Sequence, residues 1–263
     1  MPNDNNAHSI NVAIWGLSDR LLARIIASTR PPGRLVVRSG RELNTAELLR
    51  AAPVRGAPGY AVLLASEDGA AQGLLLLSGS GRAVYAELRE AGRVLRGPQA
   101  LEALRRSEAG LEATVAPLRL RLVDWGPRLS VYVKGIDLQH RQLLAALNTL
   151  WESVLHDAYR TRLYWAVGFL EEYTVFHFRS EERFFTSRGY PRAEQHIRQH
   201  RWFVDQVARY RSTLSSVDED NVAEALDVVG FLADWVENHI AGADRDYGEW
   251  ARKAGLLPGI PSP

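Results

Sequence analysis

The chain contains no cysteine, and lysine occurs only at Lys134 and Lys253. Without thiols there can be no disulfide staple, iron–sulfur cluster, thiolate zinc site or cysteine nucleophile, so any metal must be held by nitrogen and oxygen. The near-total replacement of lysine by arginine fits GC-rich coding, because arginine-specific phosphate recognition would need clustering. No apolar run approaches the roughly 18 residues needed to cross a bilayer, and the segment from Met1 to Asn6 lacks the basic and apolar regions of a signal peptide. The expected location is therefore the cytoplasm, with no membrane partner. Also missing are a Gly-x-Gly-x-x-Gly fingerprint, a Walker loop and a His-Glu-x-x-His zinc motif, so nucleotide binding and zinc hydrolysis are disfavoured.

What is present suits a folded globular chain. Its 263 residues, 46% hydrophobic and 24% charged, allow two ordinary domains with a core each. Residues 1–124 carry 16 Arg and 12 acids, whereas 125–263 carry 16 Lys plus Arg and 19 acids. That asymmetry is too mild to imply a nucleic-acid partner.

The two halves have different sequence patterns. Residues 1–120 read as a smaller α/β or α+β domain of unknown task. Short apolar runs at Ile10–Trp15, Leu35–Arg38, Tyr60–Ala65, Leu74–Ser78 and Val84–Leu88 are bounded by turn residues and predict strands. Glu67-Asp68-Gly69 and Ser78-Gly79-Ser80-Gly81 predict hairpin connections. Helices are expected over Asp19–Ser28 capped by Ser18, over Ala46–Ala52 capped by Thr45, and from Pro98 to about Glu112. Leu118, Leu120 and Leu122 alternate with Arg119 and Arg121, as in an edge strand or an extended linker.

From residue 125 to 255 the pattern becomes long and helical. Helices are expected at about Leu138–His156 with Asp137 as cap, Thr161–Arg188 ended by Gly189-Tyr190-Pro191, Ala193–Leu214 and Asn221–Ile240. A short fifth segment, Asp244–Ala254, stops at Gly255. Four amphipathic helices with short connections imply an all-α, up-down-up-down four-helix bundle.

Five of the seven histidines fall on these helices in a fixed order with two carboxylates: His140; His177 and Glu181; His196 and His200; His239 and Asp244. The two i, i+4 pairs each project from one face, one turn apart, as metal ligation requires. Residues five apart on a continuous α-helix diverge, so Gly242 is expected to loosen the helix end and let Asp244 fold back. A lone histidine pair on a helix is usually a solvated or hydrogen-bonded pair. Seven such residues on four successive helices leave that reading little room.

The local sequence resembles bacterial hemerythrins. The resemblance rests on Trp125, Gly135-Ile136-Asp137-Leu138-Gln139-His140, His177-Phe178-Arg179-Ser180-Glu181-Glu182, Gly189-Tyr190-Pro191 with His196 and His200, and Trp235 to Ile240 with Asp244. It covers about half the chain. The resemblance implies two non-haem irons joined by an oxo or hydroxo bridge and by Glu181 and Asp244. His196, His200 and His239 would bind one iron and His140 and His177 the other, where dioxygen binds at an open position. It also implies that Leu143, Phe178, Trp235 and Ile240 line the oxygen pocket, although each could equally be helix-packing core. Asp137 is read as a helix cap, Glu182 as facing solvent or a neighbouring helix, and His8 and His156 as surface residues.

The implied function is reversible dioxygen binding, not enzymatic turnover. An attached domain favours oxygen sensing, with a protein partner or output through the N-terminal half, over an oxygen carrier or store. A ferritin-like oxidase is disfavoured, because no histidine has Glu three residues before it. A di-iron enzyme with peroxidase-like or nitric-oxide-handling activity stays open. The first half has no lysine and no acidic pair after its first expected strand, which argues against a phosphorylatable receiver.

Overall fold

The computed structural model describes residues 21, 24, 25, 33–37, 43–106, 110–155, 159–216 and 222–257. The expected strand Ile10–Trp15, most of the helix Asp19–Ser28, His8 and His156 lie outside the described residues. The chain divides into two compact units, Met1–Leu118 and Arg119–Pro263.

The first unit is built on a six-stranded sheet with β1 (Gly33–Val37), β2 (Gly59–Ser66), β3 (Ala71–Ser78), β4 (Ala83–Glu90), β5 (Arg93–Arg96) and β6 (Leu111–Pro117). The strand order is β1-β6-β2-β3-β4-β5, and each pair is antiparallel. An antiparallel sheet is the α+β alternative; the α/β reading, which needs parallel strands joined by crossovers, does not hold. Two helices, α1 (Thr45–Ala51) and α2 (Gly97–Arg105), cover one face. Leu48 of α1 and Ala100 and Leu104 of α2 pack on Val62, Leu64, Leu75, Leu77, Ala86, Leu88, Ala113 and Val115. These strand residues alternate along their chains, so one face of the pleat meets the helices. Gly73 lets α2 lie close, since a Cβ there would stand 2.7 Å from Leu104 Cδ2.

Two local expectations change in this unit. The cap of α1 is Asn44, whose side chain accepts from the Ala46 amide at 2.8 Å, and Thr45 is already helical. The helix after Pro98 ends at Arg105, and Leu111 and Glu112 begin β6. Beyond β6, Leu118 donates its amide to Gly59 O at 2.9 Å.

The second unit opens with extended chain held by a side chain: Asn148 Oδ1 accepts from the Leu122 and Val123 amides at 2.8 and 3.3 Å. A short 3-10 turn (Pro127–Leu129) leads to α3 (Lys134–Val154), α4 (Tyr159–Thr186), α5 (Ala193–Ser216) and α6 (Val222–His239). Then come a π-helical segment (Ile240–Asp244) and α7 (Arg245–Lys253). Helix α3 packs on α4 and α6, α4 on α5, and α5 on α6. Leu147, Leu150 and Trp151 of α3, Val167 of α4, Phe203 of α5 and Leu226 and Val229 of α6 are almost wholly buried.

Helix α3 starts four residues earlier than expected, at Lys134, with Val133 as its cap position and no side-chain cap. Asp137 therefore lies inside the first turn, not at the cap. Its carboxylate reaches back to the preceding loop, accepting from Ser130 Oγ at 2.7 Å and the Val131 amide at 2.8 Å. Nor does the chain break after His239: the π-helical segment carries the helix through to α7. No described helix is long and apolar enough to cross a membrane.

Candidate metal centre

All seven predicted ligands meet in the interior of the second unit. His140 comes from α3, His177 and Glu181 from α4, His196 and His200 from α5, His239 from the end of α6, and Asp244 from the π-helical segment. His140, Glu181 and Asp244 are 0% exposed, and none of the seven exceeds 7%. Their ligand atoms form two overlapping groups, one of His196, His200, His239, Glu181 and Asp244, the other of His140, His177, Glu181 and Asp244. The two carboxylates are common to both.

Asp244 Oδ1 lies 3.0 Å from His196 Nε2 and 3.1 Å from His239 Nε2, while its Oδ2 lies 3.2 Å from His140 Nε2. Glu181 Oε1 lies 3.3 Å from His140 Nε2, and its Oε2 lies 3.3 Å from His200 Nε2 and 3.6 Å from His177 Nε2. The Nε2 atoms of His196 and His200 each stand 3.1 Å from that of His239. The π-helical segment makes this possible. Residues five apart on an α-helix point about 140° from each other. A π turn closes i→i+5 bonds and aligns them, bringing Asp244 beneath His239.

Partners behind the ligands fix their direction. His177 Nδ1 stands 3.0 Å from Gln139 Oε1, and His200 Nδ1 stands 3.0 Å from Glu182 Oε1. An oxygen acceptor at Nδ1 keeps the proton there and leaves Nε2 free to face the centre. Tyr247, fully buried on α7, donates its hydroxyl to Glu181 Oε1 at 2.7 Å. Sequence reasoning assigned no role to Gln139 or Tyr247; of the two readings given for Glu182, solvent or a neighbouring helix, it is the neighbouring helix that the carboxylate faces, through His200. Tyr247 was the findable one, since it follows Asp244 by three residues and so shares its helix face.

Of the apolar residues singled out beside the ligands, Leu143, Phe178 and Ile240 are buried and Trp235 is half-buried. Phe178 stacks on His200 at 3.7 Å between centroids and stands 5.7 Å from His177, so it touches both groups. Trp235 stacks on His239 at 4.2 Å, on the three-histidine side. On the two-histidine side the ring of Trp125 lies 6.4 Å from that of His140.

Comparison with known proteins puts this arrangement in context. Residues 131–251 match the Hemerythrin HHE cation binding domain. The bacteriohemerythrin of Stenotrophomonas maltophilia is 31% identical over 134 residues, covering 49% of this chain and 82% of that protein. The chain belongs to the hemerythrin family. The bacteriohemerythrin of Clostridium acetobutylicum is 26% identical over 126 residues, covering 47% of this chain and 96% of that protein. A solved hemerythrin variant aligns at 25% identity and a TM-score of 0.44, over 49% of this chain and 95% of that one.

The hemerythrin residues present here fit cations. His140 Nδ1 and Nε2, His196 Nδ1, Glu181 Oε2 and both carboxylate oxygens of Asp244 are buried without a hydrogen-bond partner, a costly arrangement for a protein meant to hold nothing there. Two donors at right angles about a metal, each about 2.1 Å from it, stand about 3.0 Å apart. Most of the separations above lie close to that edge length. A donor set of imidazole and carboxylate without thiolate suits iron and its first-row neighbours.

Electrostatics of the metal-free hemerythrin centre predict how loading depends on pH. Burial pulls His140 and His200 down, but the facing carboxylates outweigh it and hold both at about 9; Asp244 and Glu181 act on His140, Glu181 and Glu182 on His200. Burial holds His177 at about 4 and lowers His239. Asp244 and Glu181 stay ionised, because the surrounding imidazoles outweigh the burial that would raise them. At neutral pH two imidazolium ions thus face two carboxylates. Imidazoles must be neutral to ligate, so loading is expected to release about two protons at pH 7 and to strengthen as pH rises toward 9. The sign for folding is opposite. Raised histidine pKa values contribute stability that is complete below about 6.5, the unfolded value, and lost as pH rises through 9. Proton release by titration in weakly buffered solution, with metal-free melting followed from pH 6 to 10, checks both. Loading without proton release at pH 7 would contradict the assignment.

Proposed function

We propose that the second unit is an up-down-up-down four-helix bundle that holds two non-haem irons and binds dioxygen reversibly. In this reading Glu181 and Asp244 join the irons together with an oxo or hydroxo bridge. His196, His200 and His239 hold one iron, and His140 and His177 the other. The observation that carries the proposal is the unequal division of imidazoles around two shared carboxylates. With the same bridge and carboxylates, the two-histidine side is one donor short, which leaves room for a small exogenous ligand. When bound, the iron pair supplies the electrons that make dioxygen binding favourable.

The chain's own residues orient, neutralise and exclude. Gln139 and Glu182 aim the rings of His177 and His200, and two carboxylates offset cationic charge that would be costly in a buried site. Leu143, Phe178 and Ile240, with Trp235 across the three-histidine side, keep water from the centre, as reversible binding requires. These residues serve binding and not turnover. The first unit has a core of its own, which favours oxygen sensing with that unit as output or partner module over simple carriage.

The reduced, iron-loaded full chain should be colourless under argon, develop visible charge-transfer absorption under oxygen, and lose it under vacuum. No optical change, or a colour that persists on deoxygenation, would count against reversible binding. Hydrogen exchange over residues 43–117 should change with oxygenation in a sensor and stay silent in a carrier.

A further inference from the structure

The outward side of α3 and α4 carries an apolar ridge between exposed charged residues such as Arg141, Glu172 and Arg179. Along α4, Trp165, Phe169 and Phe176 are 72%, 49% and 53% exposed. Tyr173 joins them, its ring stacked on Phe169 at 5.4 Å and 5.8 Å from Phe176. Steps of three and four residues set these four on one ridge. The Tyr173 hydroxyl bonds Gln142 of α3, and α3 adds Leu138, 54% exposed, and exposed Ala145. A single exposed apolar side chain is ordinary, but a continuous aromatic ridge on one helix pair is not. The inward sides of the same two helices carry His140, His177 and Glu181.

We infer that this ridge is the docking surface for a second copy of the chain, α4 against α4 about a two-fold axis. Area favours that occupant. Aromatic side chains offer 150–250 Å² each, so the exposed fractions of the ridge amount to roughly 500 Å² per copy. Two copies together remove about 1,000 Å² from water, the lower bound of a specific interface. A two-fold contact needs a patch that complements itself, and the ridge is aromatic at both ends. An antiparallel approach centred midway along the ridge sets Trp165 of each copy against Phe176 of the other. Glu172 then lies at the ridge's edge, close to the axis.

Sedimentation equilibrium of the metal-loaded full chain at micromolar concentration should give a mass near twice 29.3 kDa. Trp165→Glu combined with Phe169→Glu should return the single-chain mass with helical circular dichroism and metal content unchanged. Trp202→Glu, at a 49% exposed position on α5, should leave the dimer intact. Because the chain has no cysteine, Glu172→Cys offers a gentler probe that leaves the aromatic ridge whole. A short bifunctional maleimide should join two copies through it. A single-chain mass for the unaltered protein, a dimer that survives the double substitution, or no cross-link through Glu172→Cys each overturns the inference.

Discussion

Replacing Glu181 with alanine should reduce the metal carried by the purified chain, from the two ions proposed above to one or none. Glu181 is 0% exposed and takes part in both ligand groups, within 3.6 Å of an imidazole Nε2 from each of α3, α4 and α5. Removing it withdraws a donor from each side at once, which no single histidine substitution does. It also leaves His140 and His200 of the metal-free centre with one facing carboxylate each, Asp244 and Glu182, where each had two, so both imidazoles should titrate lower and the stability they contribute at neutral pH should fall. Elemental analysis and melting of the metal-free protein read the two effects separately. Glu182→Ala should be milder, weakening metal binding about 10- to 100-fold through loss of His200 orientation. Two ions per chain in Glu181→Ala would refute the shared-carboxylate assignment.

The second large effect is expected at Gly248, on α7 one turn beyond Asp244. A Cβ built there on α7 would lie 2.4 Å from Val131 O and 2.9 Å from Val131 C and Cα. Those are backbone atoms, and the loop cannot yield easily. The Val131 amide is held by Asp137, and the next residue, Tyr132, has a φ of 63°. Gly248→Ala must therefore push α7 away from a cluster in which Val131, Ile136, Phe185, Tyr190 and Tyr247 pack together. Overpacking against backbone belongs at the upper end of its usual range, about 3 kcal/mol, more than the ~1 kcal/mol that alanine gains over glycine in a helix. Tyr247, one residue away, should lose its bond to Glu181 and loosen the centre. Gly135→Ala, with nothing within 4 Å of the new Cβ, should be neutral or stabilising. Urea unfolding of the two variants makes the comparison, and equal stability of Gly248→Ala and the unaltered protein would refute the packing argument.

Legibility followed the length scale of the interaction. The pairs His177 with Glu181 and His196 with His200 could be placed because one turn of α-helix relates four-residue neighbours, whatever surrounds the helix. The convergence of Asp244 on the same centre was expected from a loosened helix end, but the chain takes a π-helical path instead. Hydrogen bonding switches there from i→i+4 to i→i+5 over a few residues, and no residue in Ile240–Asp244 announces it. Strand β6 was hidden for another reason. Its inward residues Leu111, Ala113 and Val115 alternate with Glu112 and Thr114, a weak apolar signal that follows directly on a helix. Its place between β1 and β2 is decided by pairing with two segments distant in sequence.

The sequence by itself determined what the buried centre is made of. Absence of cysteine limited the donors to nitrogen and oxygen, and helical periodicity paired His177 with Glu181 and His196 with His200, each pair on one helix face. Local spacing did not say how these donors are shared; the family resemblance implied a division of three and two imidazoles around both carboxylates, and the tertiary structure brings the ligand atoms into two such overlapping groups. It also decided which outer side chains aim the rings and which helix pair turns an aromatic ridge outward. Ligand identity is a property of residue type and local spacing. Sharing, orientation and exposure depend on the packing of one helix against another, which local periodicity does not encode.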